Sequence, residues 1–321
     1  MWFGWEGLTG VDAWSPTILE EARLIEAAGF NGMLFSEHHG VPKWPAQPLL
    51  HAYKIGMATQ RIEVGPCPLL LPLYHPVHLI EQAQFIQNEI GGRLFLGVAG
   101  GFAPGDFAHF GVELKERAAR MEDCLRILRL AQSGESFDFH GKVFNLKIRG
   151  CLPVPVKRIP VWGCTGVPAT VRRAARLADA VVFESIRTRA EIRELRDIYL
   201  EECTAHSTTP HINFFRRIWI GKPEEGLRIM RSEVEAYAGN VAQGGTAPHL
   251  TGKSGGRSGD WRGLMIMGDV ASCTEQILQW KADIGFEKMI LKIPYITGAP
   301  DIGLAREQIA GIGEVIARVR G

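Results

Sequence analysis

Val64-Gly65-Pro66-Cys67-Pro68-Leu69-Leu70-Leu71, continued by Pro72-Leu73-Tyr74-His75-Pro76-Val77, is an apolar run with strand propensity and prolines set inside it. Each proline removes a ladder donor, so this is no ordinary central strand. In a barrel of parallel strands the carboxyl ends of the strands carry the binding and catalytic groups, and a distorted strand end is where a site is built. An X-Pro bond at such a place is a candidate for the cis form. Upstream, Ser36-Glu37-His38-His39 closes another short apolar run. One helix length separates the two strand ends, which places both on one rim.

Outward from that rim, strand-like runs alternate with amphipathic stretches from end to end, the pattern of parallel strands joined by helices. Strands are expected near 2–5, 32–36, 62–71, 94–99, 160–163, 180–183, 213–220 and 288–294. Helices are expected over 15–28, 48–59, 76–90, 116–132, 168–177, 189–206, 223–241, 273–284 and 304–319, from apolar spacing, prolines at first turns and glycines at ends. Eight strand-helix units make a single (β/α)8 TIM barrel the leading α/β architecture, with an open doubly wound sheet as the alternative. The whole chain, 1–321, reads as one domain with two insertions. Residues 136–148 alternate as a β-hairpin around His140-Gly141. Residues 239–263, rich in glycine and poor in apolar side chains, read as a long mobile loop that could serve as a lid.

The 36 Lys and Arg nearly balance the 35 Asp and Glu. With no net field to draw nucleic acid or an anionic membrane, the expected partners are small molecules and proteins. The six cysteines, at 67, 124, 151, 164, 203 and 273, show no metal-ligand spacing and read as reduced thiols. No run of about 18 apolar residues could span a membrane, and no secretory signal opens the chain. A cytoplasmic location follows as an expectation.

Three strand ends carry candidate chemistry. His38 and His39 stand beside Glu37, and an imidazole there can exchange protons near neutral pH, with Glu37 to orient it; packing in the core or facing solvent is the plainer alternative. The turn Gly97-Val98-Ala99-Gly100-Gly101-Phe102-Ala103-Pro104-Gly105-Asp106 lets a flat ligand or a phosphate approach bare backbone. Its spacing is not that of a dinucleotide fold, and no helix is expected directly after it. The third end, Gly163-Cys164-Thr165-Gly166-Val167 before Pro168, leads into a helix carrying Arg172 and Arg173, whose amides and dipole suit an anion. His75 and His78 lack a third ligand, so no metal is expected there.

Glu26-Ala27-Ala28-Gly29-Phe30-Asn31-Gly32 leading to Ser36-Glu37-His38-His39, then 58–65, then 71–77, then Gly92-Arg93-Leu94-Phe95-Leu96-Gly97-Val98, together resemble the bacterial luciferase-like monooxygenase family. The likeness runs from about 16 to 183 and returns at Met267-Gly268-Asp269-Val270, similar to the family's lead into the last helix. The resemblance implies a (β/α)8 barrel that takes reduced FMN from a separate flavin reductase and uses O2 to oxidise a small organic substrate through a peroxyflavin, with a homodimer as the expected assembly. It makes His38 similar to the histidine facing the flavin's reactive edge, puts Cys67-Pro68 at the family's unusual cis peptide beneath the isoalloxazine, and sets Gly163 to Val167 around the phosphate; Ala99, Gly100 and Gly101 of the glycine turn are further cofactor-binding candidates, with the phosphate expected over Gly100 and Gly101. Where FMN-binding members often carry a phosphate-binding arginine, this chain has Gly100. A deazaflavin (F420) oxidoreductase and a non-catalytic subunit paired with an active homologue therefore stay open as alternatives.

Overall fold

The structure, a computed structural model, describes residues 1–7, 17–39, 46–150, 154–232, 262–294 and 302–321. Nearly all of the 239–263 insertion, with Lys253 and Arg257, lies outside the described residues.

The main sheet is parallel throughout. Its strands are β1 (Trp2–Glu6), β2 (Gly32–Phe35), β3 (Glu63–Pro66), β4 (Leu69–Leu70), β5 (Leu96–Ala99), β8 (Val161–Thr165), β9 (Ala180–Phe183), β10 (Ile212–Ile220), β11 (Met265–Gly268) and β12 (Lys288–Lys292), in the order β3-β2-β1-β12-β10-β9-β8-β5-β4, with β11 added on β10. β3 and β4 are two halves of one stave, interrupted at Cys67-Pro68, and that bond is cis. The lower half pairs β2 and the upper half pairs β5. Val64 also bridges to Leu94, with its amide donating to the Arg93 carbonyl at 2.9 Å, so the ends of the sheet meet. Eight staves thus form the expected barrel.

The quoted motifs outside the rim hold this closure. Glu26 Oε1, at the end of α1 (Thr17–Ala27), accepts from the amides of Gln60, Arg61 and Ile62 at 3.0, 2.6 and 3.2 Å. Arg93 donates to the carbonyls of Gly56, Ile62 and Ile90 at 2.7, 2.8 and 3.0 Å, tying α2 (Pro48–Ala58) and α3 (Pro76–Glu89) to the strand below them. The amino end of the barrel is plugged. Phe95 stacks on Trp162 at 4.1 Å, Trp2 meets Trp162 edge-on, and Lys288 Nζ lies over both indoles while pairing with Glu63 at 3.0 Å. A ligand must therefore enter at the carboxyl ends.

Three sequence readings change. A short helix, α4 (Pro104–His109), does follow the glycine turn; Pro104 at its first position is pre-set for a helix, although Gly105 hides the pattern. β11 was not foreseen, because four residues beside a glycine-rich segment carry little periodicity. Gly268-Asp269 opens α9 (Val270–Ile284) ahead of the expected start at Cys273, with Asp269 accepting from Ser272 N at 2.7 Å, and α10 (Ile302–Arg320) is the expected closing helix. The remaining helices are α5 (Arg117–Ala131), α6 (Pro168–Leu177), α7 (Arg189–Ala205) and α8 (residues 223–232). The hairpin is present as antiparallel β6 (Phe137–His140) and β7 (Asn145–Ile148), its turn held by Asp123, which accepts from Val143 N at 2.7 Å and Phe144 N at 3.1 Å.

His51 of α2 is buried against Phe35, and burial pushes its pKa below the usual value. The unfolded histidine binds its proton near pH 6.5 while the folded one resists it, so between the two pKa values the unfolded state holds more protons and stability falls as pH falls. Urea midpoints of the wild type should decline below about pH 6.5, and His51→Gln should flatten that limb. Identical pH profiles would remove the assignment.

Candidate active site

The chain turns inward at the end of β2. Glu37 N donates to Pro68 O at 3.0 Å and Cys67 N donates to Phe35 O at 2.8 Å, so the two interrupted strand ends hold each other. Glu37 is buried and committed: its carboxylate accepts from Leu70 N at 2.5 Å and Tyr74 Oη at 2.6 Å, and meets His39 Nε2 at 2.8 Å. Burial and the facing carboxylate drive the Tyr74 phenol well above its ordinary pKa. Glu37 is thus spent on His39. The carboxylate beside His38 is Asp106 of α4, whose Oδ2 lies 3.8 Å from His38 Nδ1 while Oδ1 accepts from His39 N at 3.1 Å. Asp106 ends the glycine-rich stretch with no role assigned to it from sequence, and the helix it stands on is the one that was not expected. Between the two rings, His38 is the more exposed, at 14% against 9%.

On the barrel interior below the histidines, Ser36 Oγ donates to Glu6 Oε1 at 2.6 Å and Lys292 Nζ pairs with Glu6 Oε2 at 3.3 Å. Arg217 donates to Ser185 Oγ at 2.8 Å on the neighbouring staves. Buried charges persist only when paired and hydrogen-bonded. These two groups give the mouth polar side chains at its floor.

Across the mouth, Gly100 would meet nothing within 4 Å if it carried a Cβ, whereas Gly101, at φ +68°, is closed off by Phe107 at 2.9 Å. The space for a ligand is therefore at Gly100, and Gly101 is needed for its backbone conformation. At the end of β8, Thr165 is buried and its hydroxyl has no hydrogen-bond partner among the described residues. It precedes the amino end of α6, where Val167 is the half-in flanking residue and Pro168 contributes no donor. Arg172 and Arg173 do not serve this end; they pair with Glu202 and Glu122 at 2.9 and 3.6 Å. Gly166 faces the Glu184 carboxylate, which is itself bonded to Arg187 at 2.6 Å. Helix amides and an unpartnered hydroxyl favour an anion here, and the Glu184-Arg187 pair is close to neutral. The donor set fits a phosphate monoester.

Cys67 and Cys164, far apart in sequence, bring their sulfurs to 3.4 Å on the barrel interior. Cysteine spacing alone could not show this.

The description luciferase-like monooxygenase matches the chain over residues 12–287. The chain belongs to that family. An F420-dependent glucose-6-phosphate dehydrogenase of Mycolicibacterium fortuitum is 30% identical over 179 residues, covering 52% of this chain and 53% of that protein. This chain spans 46 to 61% of the length of the first curated relatives it matches. Among solved structures, an F420-dependent secondary alcohol dehydrogenase in complex with an F420-acetone adduct superposes with a TM-score of 0.81 at 15% identity, covering 100% of this chain and 99% of that one. The FMN complex of a type II Baeyer-Villiger monooxygenase, the oxygenating constituent of 3,6-diketocamphane monooxygenase of Pseudomonas putida, superposes at 0.73 and 16% identity, covering 99% and 98%. At these identities the structures speak for the fold alone. Family members are oxidoreductases, with flavin- and F420-dependent relatives. No helix among the described residues is long and apolar enough to cross a membrane.

Proposed function

We propose that the barrel mouth binds reduced FMN and, with O2, oxidises a small organic substrate, as the oxygenating partner of a separate flavin reductase. The observation that carries this reading is the placement, at one end of a plugged barrel, of an Asp106-backed histidine beside an open glycine turn and an unpartnered threonine hydroxyl. Reduced FMN supplies, when bound, the electrons with which O2 becomes an oxygenating agent. Cys67 and Pro68 support the flat ring system, Ala99 and Gly100 leave room for its ribityl arm, and Gly163, Cys164, Thr165, Gly166 and Val167 hold the phosphate. Asp106 faces His38 Nδ1, which assigns proton exchange with the bound molecules to Nε2. Glu37 and His39 brace the turn that presents His38.

A second reading has its own support. Gly100 offers no cation, and F420-dependent enzymes stand among the relatives, so hydride transfer with F420 and without oxygen is the competing activity. Anaerobic titration with reduced FMN and with reduced F420 separates the two, because the tighter ligand names the cofactor. Binding of neither supports the non-catalytic subunit.

The Gly100 site can be tested by restoring charge. An arginine there has unobstructed space, and a charge-assisted bond to phosphate contributes about 1.5–3 kcal/mol. Gly100→Arg should tighten FMN binding at least ~10-fold and make it steeply salt-dependent, since screening acts over about 10 Å at 0.1 M salt. Unchanged affinity would move the phosphate elsewhere.

The homodimer has a surface to form on. Leu50 and Met57 of α2 are 63% and 53% exposed, Phe85 of α3 is 51% exposed, and the Tyr53 ring lies 6.0 Å from it. Burying each large apolar side chain contributes about 1.5–3 kcal/mol, and a two-fold axis counts every one twice. Leu50→Lys with Phe85→Glu should therefore convert a dimer into a monomer by light scattering. A monomeric wild type, or an undisturbed dimer, would reject this face.

A further inference from the structure

Of the five cysteines among the described residues, Cys124, Cys203 and Cys273 are buried singly in the wall between sheet and helices, while Cys67 and Cys164 alone face each other. They stand on staves that are not neighbours. β5 runs between them, and the contact exists because β5 carries Gly97 there: a Cβ on Gly97 would lie 2.7 Å from Cys67 Sγ. The missing side chain opens a gap one residue wide, through which two thiols reach across a third strand to 3.4 Å. Strands lie about 4.8 Å apart and a disulfide spans Cα atoms at most about 6.8 Å apart, so a sulfur-sulfur bond across β5 also draws the two staves together.

We propose that Cys67 and Cys164 form a dithiol site that hydrogen peroxide converts to an intramolecular disulfide, stapling β8 to the Cys67-Pro68 stave at the floor of the mouth. The two cysteines differ in a way that orders the steps. Cys164 is partly exposed and Cys67 is buried, so the oxidant meets Cys164 first. Its thiolate attacks one peroxide oxygen, the O–O bond breaks, a sulfenic acid forms and one water leaves. The hydrogen bond to Cys164, with burial, holds the Cys67 thiol well above its usual pKa, so it stays protonated, is the slower nucleophile and is left for the second step. Cys67 sulfur then displaces the sulfenic hydroxyl, its proton leaves with that oxygen as a second water, and the disulfide is made. Two thiols have lost two electrons and two hydrogens, and one peroxide has become two waters. Peroxide is the oxidant a site of this kind encounters, since a reduced flavin that meets O2 without substrate releases it. The thiol chemistry stands on the cysteine geometry; the source of the peroxide and the effect on cofactor binding rest on the proposed function.

The ligand-free protein should be treated with hydrogen peroxide at one equivalent, then mapped by peptide mass spectrometry. The expected product is a peptide cross-link between residues 67 and 164, lighter by two hydrogens, reversed by dithiothreitol, with Cys124, Cys203 and Cys273 still alkylatable. Cys67→Ser should stop at a sulfenic acid on Cys164 that dimedone captures, and Cys164→Ser should give neither product. Oxidation that falls first on other cysteines, or a wild-type protein whose pair stays alkylatable, overturns the proposal. The wild-type map decides this even if a variant fails to fold. FMN titration of the cross-linked protein is a separate readout: affinity should fall at least ~10-fold, whereas a formed disulfide with unchanged affinity keeps the thiol site and removes the ring system from Cys67.

Discussion

Glu37→Ala is expected to lower unfolding free energy by about 3–5 kcal/mol, because it strands several buried groups at once. Leu70 N, Tyr74 Oη and His39 Nε2 all converge on this carboxylate within 2.8 Å. Each buried donor left without a partner costs about 1–3 kcal/mol, and a domain holds only about 5–15 in total. The urea midpoint should move far to lower concentration with little change in slope. Glu37→Gln keeps the shape and one acceptor oxygen, so it should lose roughly half as much. Tyr74→Phe removes one donor together with its need, and should cost about 1 kcal/mol; combined with Glu37→Ala it should cost less than the sum. A loss below about 1 kcal/mol for Glu37→Ala would show that water from the mouth replaces the carboxylate, and Glu37 would no longer be the brace of the rim.

The extent to which these features could be read in the chain follows from the range of each interaction. Staves and long helices announce themselves through local periodicity and caps, and Pro66 and Pro68 mark the broken stave without any tertiary knowledge. Glu37 beside His38 reads as its orienting partner because adjacency is what a sequence displays. The fold instead gives Glu37 to His39 and brings in Asp106 from 67 positions beyond His39, a contact that depends on β5 following β4 in the sheet order. The Cys67-Cys164 pair is similarly invisible, since it requires both the stave order and the absence of a side chain at Gly97. Gly100 and Gly101 look equivalent in sequence. The fold separates them, leaving Gly100 open and using Gly101 for a positive φ against Phe107.

His38→Ala is expected to lower the rate at which bound reduced cofactor is oxidised by ~10² or more, the usual contribution of a positioned proton-transfer group. That factor corresponds to about 2.7 kcal/mol of transition-state stabilisation. The fold should survive, because His38 is the more exposed of the two rings and Glu37, the brace of the turn, is bonded to His39 instead. Cofactor affinity should stay within about 3-fold, since a group that acts in the transition state contributes little to ground-state binding. Asp106→Asn tests the same assignment from behind. It keeps the size of the side chain and an oxygen for His39 N, removes the charge beside His38 Nδ1, and should cost about 10-fold in rate. Added imidazole should restore part of the rate to His38→Ala and none to Asp106→Asn. A His38 variant that loses cofactor binding as fully as rate would make the ring a structural wall of the mouth; one that keeps full rate would remove proton transfer from His38 altogether.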